Sequence, residues 1–134
     1  TKLTPEVRNE ALYFRAKALQ AEGQKQQALA DFMELAKDTR TVYGAEAKYL
    51  VAQIYFDEGE TAKAEKEVLD YIEVSTPHAY WLARSFVLLS DVYVKLGRKM
   101  EAKQYLLSLQ QNYQADDDIA GMIESRLAKL KSVK

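Results

Sequence analysis

The sequence predicts an all-α fold made of three stacked helix hairpins and one further helix. The main observation is a segment that occurs three times without a gap, at residues 15–28, 51–64 and 89–102. Each copy carries a glycine, and the glycines lie 59 − 23 = 36 and 97 − 59 = 38 residues apart. A period of roughly 20–50 residues is typical of stacked supersecondary units. Apolar residues also recur with the helical period of about 3.6 residues instead of the strand period of two.

The composition excludes several classes of protein. The chain has 134 residues, of which 48% are hydrophobic and 29% are charged, as expected of one folded domain. Its net charge is −1 and the charges are interspersed, so we expect no nucleic-acid partner. There is no cysteine for a disulfide or a thiolate metal site. No apolar run approaches the roughly 20 residues of a membrane-spanning helix, so we expect no direct membrane insertion.

The first hairpin is predicted over residues 5–38. Thr4 is a suitable N-cap, and Pro5 fits the first helical position. Gly23 ends the first helix, because glycine accepts the left-handed backbone found at many helix C-termini. A second helix from about Lys25 to about Lys37 follows after a short link, so the two helices should be antiparallel.

The second and third hairpins repeat this plan over residues 42–75 and 77–112. Gly44 is expected in the first turn of its helix, where glycine costs less than in the middle. Ser75-Thr76-Pro77 combines a cap with a proline and predicts that the third hairpin opens at Pro77.

A seventh helix is predicted over residues 116–131. Asp116–Asp118 suit its start, and Lys129, Lys131 and Lys134 suit its end, because of the helix dipole. We interpret it as a cap on the last hairpin. The chain begins at Thr1 without a Met or a signal segment, so we interpret residues 1–134 as one domain, cut from a longer chain.

Small residues recur where the two helices of a hairpin approach closely, and we expect them to be buried. A packing role accounts for each of them without a catalytic one. They are Ala16, Ala52 and Ser90 on the first helices and Ala28, Ala64 and Ala102 on the second helices.

This pattern resembles the tetratricopeptide repeat family, most clearly in the third copy. The matching positions there are Phe86, Leu89-Ser90, Tyr93, Gly97, Ala102 and Leu106. The resemblance implies a right-handed α–α superhelix, no cofactor and a protein or peptide partner. Sel1-like repeats are the alternative, since the spacing exceeds the usual length of about 34 residues. The closing proline is also missing after the first and third copies.

Two longer phrases carry a second resemblance. YGAEAKYLVAQIYFDEGE and TPHAYWLARSFVLLSDVYVKLG are similar to uncharacterised multi-repeat proteins of Bacteroidetes and to Tol-Pal-associated envelope repeat proteins. This resemblance implies a bacterial protein located in the periplasm or cell envelope rather than in the cytoplasm.

No constellation of residues predicts catalysis or a metal site. His78 is the only histidine, and neither a reactive cysteine nor a Gly-x-Ser-x-Gly motif accompanies it. Asp116–Asp118 lack the alternating acidic spacing and closing glutamate of a calcium loop. Phosphate-binding glycine motifs are missing as well. We therefore expect no enzyme activity and no cofactor.

The resemblance also implies a set of partner-binding residues. In the family, residues one position after the packing face of each first helix line a concave groove. Their spacing of +3, +4, +3 places each set on one helix face. They are Glu10, Tyr13, Lys17 and Gln20 in the first copy, Glu46, Tyr49, Gln53 and Phe56 in the second, and Arg84, Val87, Asp91 and Val94 in the third.

Aromatic and polar side chains mixed on one face suit peptide binding. The competing interpretation is that Tyr49 and Phe56 pack against neighbouring helices. Of the positions that form the family's clamp for a C-terminal carboxylate, only Arg84 matches, which disfavours a co-chaperone role. The leading hypothesis is a non-catalytic scaffold that binds a partner segment in the groove. The alternative is a structural spacer or self-association domain of a larger envelope protein, without a groove ligand.

Overall fold

The computed structural model describes residues 4–74 and 76–132, and within these ranges the fold is all-helical, with no strand. The prediction of three hairpins and a terminal helix is confirmed, while the handedness of their superhelix stays a prediction. The cap assigned to Ser75 and the charge assigned to Lys134 lie outside the described residues. The seven helices are α1 (Pro5–Ala21), α2 (Lys25–Leu35), α3 (Val42–Asp57), α4 (Thr61–Glu73), α5 (Ala79–Lys95), α6 (Lys99–Asn112) and α7 (Ile119–Ser132).

Side-chain caps fix the starts of α1 and α3, which are the first helices of the first and second hairpins. The Thr4 hydroxyl accepts a hydrogen bond from the Val7 N–H at 3.2 Å, as predicted. Thr41 caps α3 in the same way, accepting from the Gly44 N–H at 2.9 Å. Each cap satisfies a backbone donor that the helix itself leaves without a partner.

The start of the third hairpin differs from the prediction. Helix α5 begins at Ala79, two residues beyond Pro77, and its N-cap His78 makes no side-chain cap. Thr76 is engaged elsewhere: its hydroxyl donates to the Thr39 carbonyl at 2.8 Å and accepts from the His78 N–H at 3.2 Å. The threonine therefore ties two inter-hairpin loops together instead of capping a helix.

One turn geometry joins the two helices of every hairpin. Gly23, Gly59 and Gly97 have φ of 81°, 81° and 79°, the left-handed region that glycine enters without steric cost. After each glycine, the next N–H donates to the carbonyl five residues earlier, at 2.9, 2.8 and 2.8 Å. This is the hydrogen bond of a Schellman motif, so the glycines end their helices as predicted.

The small residues of each hairpin are buried, as predicted. Ala16, Ala28, Ala64 and Ala102 have no exposed surface, and Ala52 and Ser90 are 1% exposed. In the first hairpin, Ala16 and Ala28 belong to one cluster with Phe32 and Val51. Small side chains let the paired helices approach, and larger neighbours fill the space beside them.

Gly44 lies in the first turn of α3, as predicted, but packing is the stronger reason for a glycine. A Cβ atom at this position would overlap the carbonyl group of Asp38 and come within 2.7 Å of the Leu35 carbonyl oxygen. The start of α3 therefore lies directly against the end of α2.

The helices contact one another in a regular series. Each of α1, α3 and α5 packs on its own second helix, and α3 and α5 also pack on both helices of the preceding hairpin. Helix α7 contacts both α5 and α6 in the same way. It therefore occupies the place that the first helix of a fourth hairpin would take.

Candidate functional site

The predicted groove residues lie along α1, α3 and α5, which contact one another in series. Each pair of neighbouring first helices is joined by polar or aromatic contacts between these residues. Because α7 continues the series, it supplies a fourth wall that the sequence prediction did not include.

The first contact joins α1 to α3 through Glu46. Both Glu46 carboxylate oxygens lie 3.0 Å from the Tyr13 hydroxyl, which donates to them. The Lys17 ammonium lies 3.3 Å from the same carboxylate. Burial, followed by the hydrogen bond to Glu46, raises the pKa of Tyr13 to about 12. These three side chains form one polar cluster between α1 and α3.

The second contact joins α3 to α5 through Tyr49. Its ring lies 5.7 Å from the ring of Trp81 and 5.2 Å from the guanidinium carbon of Arg84. Its hydroxyl donates to Gln53 at 2.8 Å. Burial raises the pKa of Tyr49, and the positive charge of Arg84 partly opposes this. Tyr49 is only 7% exposed, so packing of this aromatic against α5 is the main role the structure gives it.

The third contact joins α5 to α7 through an ion pair. The Arg126 guanidinium donates to both carboxylate oxygens of Asp91, at 2.8 and 2.9 Å. Such bidentate pairing fixes both side chains in orientation as well as position. Arg126 also donates to the Met122 carbonyl at 3.3 Å, which holds it against its own helix.

Two cavities border this ion pair, and both are lined by Asp91 and Arg126. The smaller, of about 140 Å³, also reaches Tyr49, Gln53 and Arg84. The larger has a volume of about 510 Å³ and lies between α3, α5, α6 and α7. We call these two cavities together the α3–α5–α7 groove.

The larger cavity combines an apolar wall with a cationic rim. Its apolar side chains are Phe56, Val94, Leu106 and Leu130. Lys95 and Lys99 also line it, together with Lys129, which has an interaction partner of its own, and Asp91 balances the charge of Arg126. Cavities of this size, mostly apolar with a few polar groups, are typical of ligand sites.

The predicted residues therefore divide by position. Phe56, Tyr49, Gln53, Arg84, Val87 and Asp91 all line the groove. Val87 is nevertheless only 2% exposed, because it packs in a cluster with Ile119 and Ile123. Tyr13, Lys17 and Glu46 lie in the α1–α3 cluster, and Gln20 is partly buried near the end of α1. The structure thus leaves Phe56 as the groove aromatic with accessible surface, since Tyr49 is buried.

The sequence prediction does not include the residues of α7, because it extends the repeat only to the third copy. The sequence does contain a signal for a fourth copy, since the small residues Ala52, Ser90 and Ala128 follow one another at intervals of 38 residues. Leu127-Ala128 also repeats the large–small pair Leu89-Ser90. Extending the period once more would have placed α7 as a first helix.

Other sequence features acquire structural roles. The His78 Nε2 atom lies 2.9 Å from the Arg40 carbonyl oxygen, next to the Thr76 loop contact. The Asp117 carboxylate accepts from the Ile119 N–H at 2.9 Å and so caps the start of α7. Within the described part of the chain, no group of three or more histidine, cysteine or acidic residues could hold a metal ion.

Comparison with known proteins identifies one repeat. A tetratricopeptide repeat model matches residues 83–113, which include most of α5 and all of α6. The match supports the tetratricopeptide repeat family for this chain, as the resemblance of the third copy implied. No curated protein matches the chain. The likeness to proteins of Bacteroidetes and to Tol-Pal-associated proteins is therefore not supported.

The match indicates the class of protein. Tetratricopeptide repeats generally mediate protein–protein interactions and are generally non-catalytic scaffolds. Among the helices that the structure describes, none is both long and apolar enough to cross a membrane.

Proposed function

We propose that this chain is a non-catalytic protein-interaction module that binds a partner segment in the α3–α5–α7 groove. The observation that carries the proposal is the cavity of about 510 Å³ beside the Asp91–Arg126 pair. It offers apolar surface at Phe56 and Val94 with cations at its rim, which suits an apolar side chain flanked by polar or acidic groups.

The groove is held in shape before any partner arrives. The Asp91–Arg126 pair fixes α7 against α5, and the contact of Tyr49 with Trp81 and Arg84 fixes α5 against α3. A rigid site loses less conformational entropy on binding than a mobile one. Phe56 supports this role, because central aromatic residues often carry a large share of binding energy.

The test begins with a random peptide library displayed on phage and selected on the immobilised chain. Binding of a selected peptide is then measured by fluorescence anisotropy. We expect Phe56→Ala to weaken binding roughly tenfold or more, because its ring walls the cavity. Lys95→Glu should weaken binding of acidic peptides and leave neutral ones less affected.

Phe14→Ala is the matched control, since Phe14 is an aromatic residue on α1 that is 59% exposed and does not line either cavity. Its binding curve should match that of the unchanged chain. A melt of each variant separates binding from folding. Selected peptides that bind Phe56→Ala as well as the unchanged chain would contradict the groove and favour the spacer function.

An envelope location rested on the second resemblance alone and forms no part of the proposed function. The partner segment is defined here only by its chemistry: an apolar anchor with acidic or polar neighbours.

A further inference from the structure

Helix α7 has one face that is buried and one that is open. Counting 38 residues forward from α5, Ser85 corresponds to Ile123, and both are buried. Leu89 and Ser90 correspond to Leu127 and Ala128. Leu89 and Ser90 are buried, whereas Leu127 is partly exposed and Ala128 is exposed. The face toward α5 is therefore filled, whereas Ala128 lies on a side of α7 that only the edge of α6 borders among the described helices.

The open face is the position at which a second helix packs in every hairpin of this chain. On α1, α3 and α5, the small residue equivalent to Ala128 is covered completely, and the covering helix is antiparallel to the first. That helix contributes a small residue of its own, such as Ala28 or Ala64. The open face of α7 has no such antiparallel helix with a small residue at the crossing.

A shallow cavity of about 400 Å³ marks this place. Its apolar lining is Leu107 of α6 with Leu127, Ala128 and Leu130 of α7. Leu107 is 43% exposed, more than the leucines of the same helix that face the core. An apolar surface rimmed by charges is typical of a protein contact.

The charges on α7 are arranged symmetrically about the small residue. Glu124 and Lys131 both line the cavity and are seven residues apart, which is two helical turns. Ala128 lies between them on the same face. Neither charge takes part in an ion pair within the described residues. If two such helices cross antiparallel near Ala128, Glu124 of each copy lies opposite Lys131 of the other.

We propose that a second copy of this chain docks on this face, with its own α7 antiparallel to the first. A two-fold axis perpendicular to α7 makes the two copies of this helix antiparallel and sets the same patch against itself, as a self-complementary surface requires. Ala128 then meets Ala128 of the second copy, reproducing the contact of two small residues inside each hairpin. Lys103 gives each patch one excess positive charge, and these like charges repel across the interface, so the dimer should be weak.

The test measures the oligomeric state of the 134-residue chain by sedimentation equilibrium over a wide concentration range. We expect the average mass to rise from that of one chain toward that of two. Ala128→Arg should raise the dissociation constant at least tenfold, because the larger side chain separates the helices. Ala62→Arg is the matched control, since Ala62 is an exposed alanine on α4. It should leave the dissociation constant unchanged.

Charge reversal distinguishes this arrangement from other dimers. Glu124→Lys and Lys131→Glu should each weaken association several-fold, because like charges then face each other across the axis. The double variant Glu124→Lys/Lys131→Glu restores both pairs and should recover the original affinity. A chain that stays monomeric at all concentrations would overturn the proposal. So would a dimer that Ala128→Arg leaves intact or that Phe56→Ala abolishes, since Phe56 belongs to the groove and not to this face.

Discussion

The guanidinium of Arg126 on α7 donates hydrogen bonds to both carboxylate oxygens of Asp91 on α5, at 2.8 and 2.9 Å. The two side chains are 31% and 29% exposed, so the pair is less screened by solvent than an ordinary surface ion pair. It joins the last hairpin to the terminal helix and lines both cavities of the groove. Helix α7 is thus both a structural cap and a wall of the candidate site.

A double-mutant cycle should detect this link. We expect Asp91→Ala and Arg126→Ala to couple by about 0.5–1 kcal/mol in the free energy of unfolding, because the pair is bidentate and partly buried. Urea unfolding of the two single variants, the double variant and the unchanged chain gives the coupling. The exposed pair Lys66–Asp70 on α4 is the control and should couple less. Equal coupling free energies in the two pairs would show that the partial burial of Asp91 does not strengthen its interaction with Arg126.

Two glycine-to-alanine substitutions should have opposite signs. Gly44→Ala should destabilise the chain by about 1–3 kcal/mol, because the new methyl group would overlap the Asp38 carbonyl. Gly121→Ala should stabilise it by up to ~1 kcal/mol, because Gly121 is helical and its missing Cβ would face open space. Chemical denaturation of both variants provides the measurement. A neutral or stabilising Gly44→Ala would show that α2 and α3 are further apart than described.

Two alanine-to-leucine substitutions on α4 test the packing of the middle hairpin. Ala64→Leu should cost about 1–3 kcal/mol, since Ala64 has no exposed surface and the added carbon atoms have no space. Ala62→Leu, on the exposed side of the same helix, should change stability by less than about 0.5 kcal/mol. Thermal melts followed by circular dichroism compare the two. If Ala64→Leu and Ala62→Leu had the same melting temperature, the predicted register of the hairpin would be wrong.

The stability of the chain should fall at alkaline pH partly through Tyr13. Burial and the hydrogen bond to Glu46 raise the pKa of Tyr13 from 10.0 to about 12 in the folded state. The unfolded state therefore loses this proton first as pH rises. The stabilisation from Tyr13 is complete below pH 10 and is lost between about pH 10 and 12. Tyr13→Phe should flatten that part of the stability profile, as measured by urea unfolding at a series of pH values.

Absorbance at 295 nm provides a second reading of the same group. Titration of the unchanged chain should show Tyr13 ionising near pH 12 together with Tyr113, whose pKa is also raised to about 12 by burial and by its hydrogen bond to Asp117. Tyr13→Phe should remove one ionising group from that range and leave Tyr113. Glu46→Gln should shift the ionisation of Tyr13 to lower pH, because the carboxylate favours the neutral phenol. An alkaline profile that Tyr13→Phe leaves unchanged would assign the loss to other tyrosines.

The hairpins could be predicted from sequence because local signals specify them. Gly23, Gly59 and Gly97 each follow an apolar helical pattern and end that helix. Thr4 caps α1 through a hydrogen bond from Val7, only three residues further along the chain. The start of α5 could not be placed in this way. Thr76 bonds to Thr39, which is 37 residues away, and so a long-range contact overrides its capping preference.

The candidate site was predicted only in part for a related reason. The helical period selects Phe56 on α3 and Asp91 on α5, and both line the larger cavity, but the period cannot say which of the selected residues a later helix will cover. Val87 is buried because Ile119 and Ile123 of α7 pack over it. Gly44 shows the same limit, since its close approach to Asp38 depends on how two hairpins dock.

The serial contacts of the helices bear on how the chain comes apart. Among the described helices, α1 contacts only α2 and α3, and nothing in the first hairpin contacts α5, α6 or α7. Opening of the first hairpin therefore removes one interface and leaves the Asp91–Arg126 groove whole. Amide hydrogens of α1 should exchange with solvent sooner than those of α5, which has neighbours on both sides. The candidate groove thus lies in the part of the chain that local unfolding from the first hairpin would reach last.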